Sequence, residues 1–183
     1  MTADPLELLL FRSRQTRERA LKLVEDLSDE QLAWRPGPTA HCIGWTLWHL
    51  ARCADVFQKD LATDGSGREL WTTERLAERW GFPAGALGAN TAGTGVPDEA
   101  AAGVPLPPNA ELVGYARRAF AALDEAVGRI DRARFAREHR SLFVPEPTPI
   151  GNSLLASLTH DNRHLGEMEY LKGLLGLRGS VTT

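Results

Sequence analysis

The sequence predicts an all-α protein, a four-helix bundle with a long insertion between its second and third helices. Four segments carry apolar residues at helical spacing, and each is long enough for a bundle helix. Stretches rich in proline and glycine, which end helices, separate them. The chain has 183 residues, 43% of them hydrophobic, enough for a core of its own. We therefore expect one domain over residues 1–183, with an insertion at residues 68–108.

The first helix and its connection are marked by capping residues. Asp4, followed by a proline, predicts a helix start, and the apolar spacing continues up to Asp26. Ser28 and Gln31 then have the spacing of a capping box, which predicts a short turn. Two prolines in residues 33–39 predict an extended connection to the second helix.

The other three helices are expected at about Ile43–Leu61, from Asn109 to about Ile130, and from near Thr148–Pro149 to Gly176. Asn109 is expected to cap the third helix, and Gly176 is a typical residue for ending the fourth. Residues 68–80 predict a short extra helix, and residues 81–108 a loop rich in glycine and proline. A loop of that length is usually functional or disordered, so a substrate lid and a mobile insertion both stay open.

Composition excludes several classes of function. A net charge of −3 without a basic cluster argues against nucleic acid or an anionic membrane as the main partner. No segment reaches the run of about 18 apolar residues that a membrane-spanning helix needs, and the N-terminus lacks the features of a signal peptide. Cys42 and Cys53 form neither a disulfide framework nor a paired-cysteine metal motif. We expect a cytoplasmic protein that acts on a small molecule.

Three histidines on two of the expected helices indicate a metal site. His160 and His164 are four residues apart, which places them about 40° apart around a helix and about 6 Å apart along it. Two such imidazoles can bind one ion from the same face. His49, on the second helix, can supply a third nitrogen. Three neutral imidazoles leave one coordination position open, as in catalytic zinc sites.

A nearby cysteine offers an alternative ligand. Cys53 follows His49 by four residues and shares its helical face. A cysteine thiolate is a strong ligand for soft metals, but cysteine is also a small and usually buried hydrophobic residue. We favour the second interpretation, because a fourth protein ligand would close the site.

Three further residues are candidates for the chemistry. Glu167, three residues after His164, is the predicted catalytic residue: it could accept from an imidazole N–H, ligate the metal or act as a general base, the alternative being a solvated helix glutamate. Arg52, one turn past His49, is predicted to bind an anionic substrate or thiol carboxylate, with a surface arginine as the alternative. Trp48 is predicted to line the substrate pocket or a dimer face.

Residues around the histidines have expected positions as well. Trp45 is expected in the core beneath the site. His41 and His139 are expected on the surface, with His41 a candidate for the pocket rim. Asp161 and Arg163 are expected to point away from the histidine face and to form surface or interhelical pairs.

Two segments resemble a known family. IGWTLWHLARCADVF is similar to the second helix of the DinB-like superfamily, which includes YfiT-like members. THDNRHLGEMEYLKGLLG is similar to its fourth helix, and LSDEQLAWRPGP resembles its connection between the first two helices. The resemblance spans nearly the whole chain in element order, apart from the insertion.

The resemblance implies a four-helix bundle with a divalent metal, often zinc or nickel, held by three histidines. By motif position these are His49, His160 and His164. Members include S-transferases that use mycothiol, bacillithiol or glutathione, and thiol-dependent maleylpyruvate isomerases; bundles of this family often form homodimers. Where the family commonly has glutamine after His-Leu-Gly, this chain has Glu167.

The expected function is therefore a metal-dependent transferase that activates a low-molecular-weight, mycothiol-like thiol for attack on an electrophilic small molecule. Three alternatives stay open. They are a thiol-dependent isomerase of the maleylpyruvate type, a metal-dependent hydrolase, and a non-catalytic bundle that binds a metal or another ligand.

Overall fold

A computed structural model describes residues 4–62, 67–83, 87–88 and 91–179. In these ranges the helices are α1 (Pro5–Val24), α2 (Asp29–Ala33), α3 (Ile43–Asp60), α4 (Leu70–Thr73), α5 (Leu76–Arg79), α6 (Asp98–Ala102), α7 (Asn109–Gly128), α8 (Arg132–Phe135) and α9 (Ile150–Leu174). Two short strands, β1 (Glu138–His139) and β2 (Thr148–Pro149), pair antiparallel. The predicted all-α class is confirmed.

The long helices α1, α3, α7 and α9 form the bundle. Helix α3 packs against α7 and α9, and α1 packs against the same two helices, so the four enclose one core. Large side chains in this core are fully buried, among them Leu23, Trp48, Phe57, Leu112 and Tyr115. None of the described helices is both long enough and apolar enough to cross a bilayer.

Most helix ends agree with the capping residues. The Asp4 carboxylate accepts from the backbone N–H of Leu6 at 2.8 Å, and Ser28 and Gln31 form the expected capping box at the start of α2. Helix α1 ends at Val24, slightly before the predicted position. Gly176 follows α9 with a φ of 74°, a left-handed conformation that glycine adopts without strain.

Asn109 does not cap the third long helix, contrary to the sequence prediction. It is the first residue of α7, and Pro108 precedes it. Its side-chain N–H groups donate instead to the carbonyl oxygens of Val24, at 2.8 Å, and Leu27, at 2.7 Å. Because helix C-termini leave carbonyl groups without partners, this asparagine stabilises the end of α1.

The sequence predicts one short helix over residues 68–80, but the structure does not have it. The single turns α4 and α5 take its place, because Arg75 between them has a left-handed φ of 54°. Trp71 is 5% exposed and contacts the rings of Trp48, Trp80 and Tyr115. These aromatic contacts hold this part of the insertion on the bundle.

Candidate metal centre

The three predicted histidines meet between α3 and α9. The ring centroid of His49 lies 5.0 Å from those of both His160 and His164, and the latter two are 4.5 Å apart. The Nε2 atoms of His49 and His160 are separated by 3.0 Å. Two turns of α9 and one of α3 thus present three imidazoles to one point.

A main-chain contact fixes the ring of His49. Its Nδ1 lies 2.5 Å from the carbonyl oxygen of Ala92. A carbonyl only accepts, so Nδ1 carries the proton and the neutral ring presents an Nε2 lone pair. Burial lowers the pKa of His49 to about 3; the Ala92 carbonyl opposes this shift, and His160 and His164 reinforce it. His49 is therefore neutral, the form that binds metal.

A carboxylate fixes the ring of His164. The Nδ1–H group donates to Oε2 of Glu167 at 2.5 Å, and Nε2 accepts from the Arg163 guanidinium at 3.2 Å. Burial, together with the neighbouring His160, lowers the pKa of His164, while Glu167 opposes the shift. Of the roles predicted for Glu167, this geometry matches the acceptor for an imidazole N–H.

His160 lies above a buried ion pair. Its Nδ1 is 3.5 Å from Oδ1 of Asp161, and Oδ2 of Asp161 accepts from Nε of Arg17 on α1 at 2.9 Å. Arg17 also pairs with Asp124 of α7. The interhelical pair expected for Asp161 is thus present, and it lies in the core directly below the histidines.

Cys53 is buried, as the favoured interpretation expects, and its thiol lies beside the imidazoles. Its Sγ is 3.8 Å from Nε2 of His49, and the ligand atoms of His49, Cys53 and His160 all lie within 4.8 Å of one another. Burial raises the pKa of the Cys53 thiol, with Asp161 adding to the shift and Arg52 opposing it. A bound cation would have to displace the thiol proton before sulfur could ligate it. These residues form a cluster that could hold a metal ion, with His164 beside it.

A cavity of about 670 Å³ opens onto the three imidazoles. One wall is apolar and contains Trp45, Leu142, Phe143 and Leu155. Arg163 is the single lysine or arginine among the described lining residues, and these include no aspartate or glutamate. The volume matches that of small-molecule sites, which range from about 300 to 1,000 Å³.

The structure corrects the predicted position of Arg52. Its side chain has no exposed surface, and its guanidinium pairs with Asp55 at 3.1 Å and Glu69 at 2.9 Å. It therefore lies under the insertion, not in the cavity or at the surface. Arg163 lines the cavity where Arg52 was predicted to lie. This position is contrary to the expectation that Arg163 points away from the histidines.

The predicted position of Trp48 is also wrong. Its ring is fully buried against Trp45, with 4.6 Å between centroids, and against Phe82. Trp45, which was expected beneath the site, lines the cavity instead. His41 lies at the rim, as the sequence suggested, and stacks on Trp45 with 5.8 Å between centroids.

The insertion supplies site atoms that sequence reasoning missed. Gly93 and Thr94 line the cavity, and the Ala92 carbonyl contacts His49. Every residue has a main-chain oxygen, so a contact made by this atom cannot be predicted from the residue type. The one available signal was the density of glycine in residues 85–95, which permits close backbone approach.

Comparison with known proteins agrees with the fold. The sequence profile of the DinB superfamily matches residues 12–168. A conserved protein from Enterococcus faecalis is similar in structure, with a TM-score of 0.76, 18% identity, and coverage of 96% of this chain and 99% of that one. A DinB-like protein from Bacillus cereus has a TM-score of 0.62, 18% identity and 95% coverage of each chain. No curated protein sequence matches the chain.

Proposed function

This protein belongs to the DinB superfamily, and we propose that it is a metal-dependent transferase. His49, His160 and His164 would hold one divalent cation, zinc or nickel, at the base of the cavity. One observation carries the proposal. The Nδ1 atoms of His49 and His164 are held by Ala92 and Glu167, which turns their Nε2 atoms toward the wall of an open cavity. A cation bound there would replace the present contacts of these Nε2 atoms with His160 and Arg163.

The proposed nucleophile is a low-molecular-weight, mycothiol-like thiol. When bound, a divalent cation supplies Lewis-acid chemistry and lowers the pKa of a thiol, so that thiolate forms near neutral pH. A sulfur–carbon bond forms to the electrophile, the leaving group departs with its electron pair, and the thiol proton goes to solvent.

The chain's own residues orient the two reactants in this scheme. Trp45, Phe143 and Leu155 provide an apolar surface for the carbon skeleton of the electrophile. Arg163, with its side chain 65% exposed, would exchange its contacts with His164 and Glu167 for an anionic group such as a carboxylate. Glu167, which the sequence predicts to be catalytic, has the role of a positioning residue in this scheme and acts through His164.

A non-catalytic metal site is the second candidate, and the position of Cys53 favours it. With Sγ 3.8 Å from His49 Nε2, a thiolate could complete a four-ligand set of three imidazoles and one sulfur. Such a site would be closed to thiol or water.

The test is a thiol-transfer assay on the metal-loaded protein with mycothiol, bacillithiol and glutathione against a panel of electrophiles. Wild type should consume thiol and electrophile in equal amounts, and His160→Ala should do neither. His139→Ala is the matched control, because His139 hydrogen-bonds to Ser153 outside the cavity lining. Thiol that is required but not consumed would indicate an isomerase, and turnover without thiol a hydrolase. A His160→Ala variant that is active without bound metal would contradict the proposal.

A further inference from the structure

We propose that Arg52 is a positioning residue for the metal centre. It holds the turn Thr91–Gly93 against α3, so that the Ala92 carbonyl keeps the proton of His49 on Nδ1 and leaves Nε2 for the metal. The inference rests on the proposed metal site, but it does not depend on the thiol chemistry.

All the donors of the Arg52 guanidinium are used. An arginine carries five N–H groups. Here Nε donates to the Thr91 carbonyl at 3.0 Å, and Nη2 donates to the Thr91 hydroxyl at 3.0 Å and to Glu69 at 2.9 Å. Nη1 donates to Asp55 at 3.1 Å and Tyr115 at 3.4 Å. The edge of the guanidinium formed by Nε and Nη2 therefore holds the turn, and the Nη1 edge is fixed to Asp55 and Tyr115 of the bundle.

The fixed edge is held on several sides. The Asp55 carboxylate, fully buried, also accepts from the backbone N–H groups of Leu70 and Trp71, at 2.9 and 2.8 Å, and from the Tyr115 hydroxyl at 3.0 Å. The guanidinium carbon lies 5.0 Å from the centre of the Trp71 ring. Arg52 consequently has little freedom to follow the turn if the turn moves.

The turn itself is in a conformation that needs outside support. Thr91 has a φ of 57°, which is unfavourable for a β-branched residue. Gly93 has a φ of 91°, and a Cβ built there would lie 2.9 Å from the Trp48 ring and 3.0 Å from the Trp45 ring. Ala92, between them, is completely buried. The turn therefore lies flush on α3, and its one carbonyl at that point contacts His49.

Loss of this support should change the tautomer of His49 before it changes the rest of the site. Without a fixed acceptor at Nδ1, the proton of the neutral ring is free to occupy Nε2, where it blocks metal binding. Outer contacts of this kind typically change metal affinity by about 10–100-fold. The same range is expected here.

Two variants test the inference. Arg52→Met removes the guanidinium, but it leaves the carboxylates of Asp55 and Glu69 unpaired and risks misfolding. Gly93→Ala leaves every ion pair in place and pushes the turn away from Trp45 and Trp48. Lys172→Met is the control, because Lys172 is another buried cation and donates to the Leu23 carbonyl instead.

Two readouts are needed, and neither is enzymatic activity. Nitrogen-15 NMR of the metal-free protein reports the His49 tautomer, assigned by comparison with His49→Gln. Competition with a chelator gives the affinity for Zn²⁺. Wild type and Lys172→Met should show Nδ1–H, whereas Gly93→Ala and any folded Arg52→Met should show mixed tautomers and about 10–100-fold weaker Zn²⁺ binding.

An unchanged tautomer and unchanged Zn²⁺ affinity in Gly93→Ala would overturn the inference, whether or not Arg52→Met folds. This failure differs from failure of the proposed function. A wild-type protein that binds Zn²⁺ tightly but transfers no thiol would refute the transferase and leave the role of Arg52 standing.

Discussion

The Nδ1 atom of His49 lies 2.5 Å from the main-chain oxygen of Ala92, and this contact joins the bundle to its insertion. The histidine comes from α3 and the oxygen from the loop that precedes α6. The insertion therefore contributes directly to the candidate metal centre. Its chemical part is to decide which imidazole nitrogen carries the proton.

Replacement of Cys53 by serine should leave metal binding intact. An open three-histidine site does not use the thiol, and burial keeps it protonated. We expect Zn²⁺ affinity within about twofold of wild type, and no thiolate-to-cobalt absorption in the cobalt-substituted protein. An intense thiolate band that disappears in Cys53→Ser, together with loss of metal, would establish the closed site.

Glu167 should matter through its hydrogen bond to His164. Glu167→Ala removes the acceptor at Nδ1 and should weaken Zn²⁺ binding about 10-fold. Glu167→Gln keeps an acceptor oxygen and should lose less. Glu125→Ala is the control, since that exposed carboxylate of α7 pairs with Arg129 just after the helix. Equal Zn²⁺ affinity in Glu167→Ala and wild type would remove this role.

The metal-free protein should lose stability as the pH falls below the ordinary histidine pKa. The pKa of His49 is about 3 in the folded chain, against 6.5 for the free side chain. Between these values the unfolded chain binds a proton that the native state does not. The free energy of unfolding is therefore greatest above pH 6.5 and declines toward pH 3. The lowered pKa of His164 acts in the same direction.

Urea unfolding at several pH values between 7.5 and 5 measures this effect. For one fully shifted group the free energy of unfolding falls by up to about 1.4 kcal/mol per pH unit. His49→Gln should show a clearly shallower decline, because glutamine does not titrate. Identical slopes for the two proteins would show that His49 is protonated normally in the fold.

Arg163 should select anionic substrates. Once an active thiol and electrophile pair is known, Arg163→Met should raise KM for a carboxylate-bearing substrate about 10-fold, which corresponds to one charge-assisted hydrogen bond. The neutral amide of the same substrate should be unaffected. Arg129→Met, which changes the exposed arginine that follows α7, is the control. An equal loss for acid and amide would indicate a different role for Arg163.

Helical geometry explains which side chains of α3 reach the cavity. Trp45 and Cys53 lie four residues on either side of His49, about 40° from it around the helix, and both line the cavity. Arg52 and Trp48 are rotated by about 60° and 100°, which directs them toward α7 and the insertion. Counting angles instead of proximity in sequence would have separated the two pairs.

The arrangement of the insertion lay beyond such reasoning. The fold class and the three histidines follow from periodicity and spacing, which are local properties of the chain. The contact of Ala92 with His49 joins residues 43 positions apart through a main-chain oxygen. It depends on Arg52, on the left-handed φ of Thr91 and on the missing side chain of Gly93, a combination that no single motif encodes.

The most direct test of the three-histidine centre is the metal content of wild type, His164→Ala and His139→Ala, purified in parallel and reloaded with Zn²⁺. We expect about one ion per chain in wild type and in His139→Ala, and none in His164→Ala. A wild-type protein that retains no metal after reloading, or a His164→Ala protein that retains as much as wild type, would contradict the three-histidine centre.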